Sequence, residues 1–270
     1  MTTDLTSVPS QRKAPAMSTT LTAAAVVPAA GTTARRTGPS LATLTGLEIR
    51  KSLSTRSGRA VAAAAVLLAP LGILVVSLSA TGVAPAVLIL GITGMLTALV
   101  LLALGILSTA GEWSNGSVQN TFLLVPKRGR VLAAKGTAMT ALGLVFAALS
   151  VGLSFVALSA MTDQVAWDYA GRAVVTVIGS GAAFAVIGAG IGSAVGNAPA
   201  ALTGTYLTML GVLPVLDSVK PEIAEKLDPA AAIVTIAQHG ATATPILVIT
   251  GWVVVSTVLG TLITRRRAVA

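Results

Sequence analysis

From Ala60 onward the chain alternates between long apolar runs and polar connections. A helix that crosses a hydrocarbon core takes about 20 predominantly apolar residues. Six stretches meet or approach that length: 60–80, 83–110, 136–161, 173–195, 198–216 and 245–264. Pro70 predicts a kink in the first, and the fifth is short and contains Pro214. The pattern predicts an all-α integral membrane protein with six transmembrane helices. Residues 1–38 are rich in Thr, Ser, Pro and Ala, sustain no hydrophobic period and read as a disordered tail. Pro28 and the following Arg35 and Arg36 argue against a signal-peptide core in the run 21–30. Residues 39–59 lead into the first span, and 265–270 form a basic end.

Composition agrees with the pattern. Hydrophobic residues make up 54% and charged residues 10%, whereas a soluble domain carries about 25% charged residues. A soluble enzyme is thereby excluded. The formal net charge is +9, and its distribution sets an orientation. If both termini are cytoplasmic, 15 of the 18 Lys and Arg fall on that side, leaving Arg172, Lys220 and Lys226 outside. Positive residues concentrate on the cytoplasmic side of membrane proteins. The basic excess belongs beside anionic lipid, and no nucleic acid partner is needed to explain it.

The connection after the second span is too long for a plain turn. It contains Val118, Phe122 and Val125 with polar residues between them, the spacing of a short amphipathic helix along a membrane surface. Pro126 limits that helix, and Lys127, Arg128 and Arg130 follow it. Ahead of the first span, Leu41, Leu44 and Leu47 share one helical face, while Ile49 and Leu53 fall around the helix.

These two segments resemble parts of the six-helix permease subunits of type-2 ABC exporters. Glu112, Gly116, Ser117, Thr121, Pro126, then Arg128 or Arg130, and Lys135 follow the order of that family's loop after its second helix. Ser117 stands where the family usually has Thr, keeping a hydroxyl. The segment with Glu48, Arg50, Lys51 and Arg56 resembles the family's interfacial elbow helix. The resemblance implies that residues 112–135, Lys127 included, form a cytoplasmic coupling helix and its flanks. An ABC ATPase subunit would dock there, carrying the ATP and Mg. A second permease chain would complete a homodimer, and the second and fifth helices would line the path.

The remaining chemistry is sparse. There is no cysteine, one histidine (His239) and no Gly-x-x-x-x-Gly-Lys-Ser/Thr loop, so no metal site, catalytic set or ATP hydrolysis is expected on this chain. The proposed spans carry essentially no ionisable side chain, which disfavours proton coupling. Hydroxyls on the two path helices, Thr93, Thr97, Thr203, Thr205, Tyr206 and Thr208, are the candidate cargo residues, with their own backbone carbonyls as the competing partners. Gly188, Gly192 and Gly196 share a face suited to close packing, within the chain or across a homodimer. Asp228 and Pro229 predict the start of an apolar helix over 230–237, half of what a span requires, and therefore re-entrant, interfacial or packed on other helices. The function expected is export of a small amphipathic, drug-like or lipid-like molecule across the cell membrane. The alternative is a secondary transporter or channel that needs no ATPase.

Overall fold

The computed structural model describes residues 39–77, 84–115, 128–160 and 165–267. The expected tail, and Gly116, Ser117, Thr121, Pro126 and Lys127 of the expected coupling segment, lie outside these residues, as does the side chain of Arg128. The fold is helical, and six of the helices are long and apolar enough to cross a membrane.

A short helix α1 (Leu41–Ser54) opens the described chain, with the Ser40 side chain accepting from the Thr43 amide at 3.1 Å. Thr55 breaks the helix in an extended conformation, and its hydroxyl accepts from the Gly58 amide at 3.0 Å to start α2 (Arg56–Ser77). Helix α2 continues through Pro70. A two-residue strand β1 (Ala84–Pro85) precedes α3 (Ala86–Ser114), and after α4 (Arg128–Ser159) it pairs in parallel with β2 (Val165–Ala166). Helix α5 (Ala170–Val195) then ends on Gly196, whose φ of 70° suits a residue without Cβ.

The fifth span, α6 (Ala198–Val219), is longer than its apolar core suggested and is irregular for a reason that lies in Pro214. Proline has no N–H, and its ring crowds the carbonyl four residues earlier. The turn before it widens into a π-helical stretch, Thr208–Val212, in which the Leu213 amide bonds the Thr208 carbonyl. One helical turn, α7 (Pro221–Ala224), leads to α8 (Pro229–His239) and the last span α9 (Ala243–Arg266).

Helix α5 is the centre of the bundle, packed against α3, α4, α8 and α9. Glycine makes this possible on two faces. Gly188 lies directly against the Leu102 carbonyl of α3, and a Cβ at Gly192 would meet the Ile106 carbonyl at 2.8 Å. On the other face, a Cβ at Gly190 would stand 2.6 Å from the Ser256 backbone of α9. The Gly188–Gly192 face is therefore spent inside the chain. Gly196 closes the helix beside the Arg267 guanidinium.

The ends of the helices sort into two sets. Glu48, Glu112 and Lys135 meet at one end, where Arg267 also donates to the Ala194 carbonyl at 2.7 Å and the Ala198 amide to the Ser114 hydroxyl. The β1–β2 pair and the contact of Arg172 with Ala237 lie at the opposite end. The six long helices thus alternate in direction, and Glu48 of α1 and Arg267 after α9 lie at the same end.

Helix α8 is 11 residues long, about 16 Å at 1.5 Å per residue, and packs on α3, α5 and α9. It is tied at both ends. The Asp228 carboxylate accepts from the Ala230 and Ala231 amides at 2.8 and 3.1 Å, and Arg172 donates to the carbonyls of Ala237 and Gln238. Exposed His239 closes the helix before Gly240. Asp228→Ala should lower stability by about 0.5–2 kcal/mol, and Asp228→Asn by much less. Unfolding of the detergent-solubilised chain measures both, and equal losses would contradict the cap.

Candidate functional site

The residues expected in the elbow and at the flanks of the coupling segment meet in one cluster. Glu48 and Lys51 stand three apart on α1, Glu112 near the end of α3, and Lys135 in the second turn of α4. The Lys135 ammonium reaches Glu48 Oε2 at 2.8 Å, Glu112 Oε1 at 2.6 Å and the Ser108 carbonyl at 3.0 Å. All three of its protons have acceptors. Lys51 lies 2.5 Å from Glu112 Oε1 and 3.3 Å from Glu48 Oε1. Among the described residues, two positive and two negative groups meet here, and pairing of this kind lowers the cost of burying charge. A carboxylate near a helix C-terminus is unfavourable, and the two ammonium groups offset that at Glu112.

The sequence of α1 explains its seating. Its buried stripe is Leu44, Glu48 and Ser52, one residue per turn, with the Ser52 hydroxyl donating to the Glu48 carbonyl at 2.9 Å. Leu41 and Leu47, read as part of the apolar face, are exposed, while Ile49 and Leu53 pack against the core. The requirement to pair Glu48 and Lys51 with α3 and α4 outweighs the Leu spacing and rotates the helix. Arg50, Arg56 and Arg130 remain exposed outside the cluster.

Burial alone would push the Glu48 carboxyl up; the Lys135 ammonium, and then Lys51, more than reverse this and hold it below the ordinary 4.5. Burial likewise pulls the Lys51 ammonium down, and its hydrogen bond and attraction to Glu112, then Glu48, raise it above 10.5. A depressed carboxyl contributes stability that is present above its unfolded value and is lost as pH falls through its folded value. A raised ammonium contributes below its unfolded value and loses that as pH rises through its folded one. Stability should therefore hold between these values and fall as pH drops below 4.5. Glu48→Gln should flatten that acid limb; an unchanged limb in unfolding measurements would contradict the pairing.

Beside the cluster lies a crevice of about 300 Å³, lined by Lys51, Thr55 and Ser57 from the α1–α2 junction and by Ser108, Glu112 and Asn115 from α3. Asn115 is the last described residue before the expected coupling segment. The ion pairs of the cluster link α1, α3 and α4.

The candidate cargo hydroxyls are not brought into one cavity. Thr93 donates to the Ile89 carbonyl at 2.7 Å, and Thr97 to the Thr93 carbonyl at 3.1 Å, with Ser150 of α4 3.0 Å away. Both face a closed interior between α2, α4 and α5. Thr205 and Thr208 instead line a crevice of about 230 Å³ between α5, α6 and α9, Thr208 donating to the Gly204 carbonyl. Thr203 is exposed, and the Tyr206 hydroxyl donates to the Leu99 carbonyl at 2.7 Å. Sequence reasoning missed the Arg267 clamp on α5, where the guanidinium also covers the Trp113 ring at 5.1 Å. Its position after the last span suggested only a basic end.

No model of a known protein family matches the chain, and no curated protein matches it.

Proposed function

We propose that this chain is the membrane permease subunit of an ATP-driven exporter, carrying a small amphipathic, drug-like or lipid-like molecule out of the cytoplasm. The observation that carries the reading is the joint of Glu48, Lys51, Glu112 and Lys135. It unites the segment resembling an elbow with both flanks of the segment resembling a coupling helix. A force applied to residues 116–127 from outside the bilayer would pass through Glu112 and Lys135 to α3, α4 and α1 together. A separate ABC ATPase subunit, holding ATP and Mg, would apply it. A second copy of the chain would complete the path. The charge-cluster end is cytoplasmic by the excess of Lys and Arg there, so both termini are cytoplasmic in the cell membrane.

The competing reading is transport without an ATPase. It draws on buried Ser154, whose hydroxyl has no partner and which borders the same interior as Thr93, Thr97 and Ser150, since hydroxyls and carbonyls can coordinate sodium. Efflux of fluorescent amphiphiles from cells expressing the chain with its ATPase separates the two. The exporter reading expects efflux to stop on ATP depletion and to persist when ion gradients collapse; the reverse outcome overturns it.

A further inference from the structure

Helices α5 and α9 run in the same direction and touch where Gly190 meets Ser256 and Gly260. Toward the end opposite the charge cluster, residues of both helices and Ile236 of α8 line one opening. The opening is a crevice of about 720 Å³, lined along α5 by Gly171, Val175, Gly179 and Ser180, and along α9 by Ile246 and Thr250. That volume lies within the about 300–1,000 Å³ usual for a small-molecule site. From Gly171 to Ser180 is about 14 Å of helix, close to the depth of one leaflet, about 15 Å. A Cβ at Gly171 or Gly179 would meet nothing within 4 Å, so these glycines leave space rather than fill a helix contact.

Two polar features set this crevice apart from an ordinary lipid-facing gap. Ser180 is 5% exposed and lines the crevice, and its hydroxyl makes no hydrogen bond to another described residue. Most helical Ser side chains return to a carbonyl one turn back. Arg172, the third residue of α5, stands at the mouth. Its Nε and Nη2 are committed to Ala237 and Gln238 and its face to Tyr169, but no carboxylate among the described residues pairs with it. A guanidinium without a carboxylate, at the headgroup end of an apolar slot, suits a phosphate.

We propose that this crevice binds one anionic phospholipid, with the phosphate at Arg172 and one acyl chain along α5 between it and α9. The site is independent of how transport is powered. The full chain, purified in neutral detergent, is titrated with phosphatidylglycerol and phosphatidylcholine of identical chains and read by native mass spectrometry. One tightly held phosphatidylglycerol is expected, preferred about tenfold over phosphatidylcholine, a difference within reach of one charge-assisted contact. Gly179→Phe should remove that copy without changing the melting temperature, because its side chain fills open space. Arg172→Gln should abolish the preference while chain binding persists. Equal binding of the two lipids, or wild-type binding by Gly179→Phe, overturns the proposal. If Arg172→Gln releases α8 and fails to fold, Gly179→Phe and the lipid preference decide alone.

Discussion

Lys135→Met is expected to destabilise the protein by about 3–5 kcal/mol, the cost of breaking a buried ion network by removing one partner. The side chain is 6% exposed and faces two carboxylates that are 9% and 12% exposed. Without it, Glu48 and Glu112 lose the buried ammonium that lies between them, and Lys51, which also pairs with both, has a side chain that is 38% exposed. Lys51→Met should accordingly cost less, in the range of about 0–1 kcal/mol that solvent-screened pairs contribute. Adding Glu48→Gln and Glu112→Gln to Lys135→Met should restore much of the loss, because the repelling charges are gone. A local readout complements unfolding curves. The chain contains no cysteine, so Ser52→Cys, at a position 8% exposed, reports whether α1 stays seated. It should react slowly with a thiol reagent in the wild-type background and rapidly beside Lys135→Met. Equal rates would show that Lys135 does not hold α1.

The second large effect is expected from Gly188→Leu. Even the first carbon of a side chain would collide with the Leu102 carbonyl, and a backbone atom cannot swing aside. Helices α3 and α5 must separate, at a cost of about 1–3 kcal/mol or more. Gly251→Leu is the matched control, since a Cβ at Gly251 meets nothing within 4 Å, and it should leave stability nearly unchanged. Unfolding in detergent measures both. If Gly188→Leu lost only the oligomer and kept monomer stability, the glycine face would be a seam between chains instead of a packing face within one.

The six spans were legible because the hydrocarbon thickness demands a run length that no loop shares. Their ends were less so. Helix α4 starts at Arg128, ahead of the fully apolar stretch 136–161, and it continues through Lys135, whose charge is buried by its pairing. The α8 cap was readable from Asp228 and Pro229, whose roles are local. The charge cluster was only half readable. Glu48 and Lys51 are neighbours on one helix, but their meeting with Glu112 and Lys135 is set by tertiary packing that no spacing encodes. The second glycine face of α5 escaped notice for the same reason: Gly190 and Gly260 belong to different helices and make sense only as a pair. Arg172 looked like one charge of an outer loop, while the fold uses it to hold the end of α8.

The proposal that this is an ATP-coupled permease is tested most directly by purifying the tagged full chain from its native membrane in mild detergent and measuring ATP hydrolysis in the preparation. The account expects an accompanying subunit that hydrolyses ATP in a vanadate-sensitive manner, and expects Glu112→Gln to weaken its retention or uncouple its activity. A pure, folded, transport-competent chain without any ATP-hydrolysing companion would contradict it.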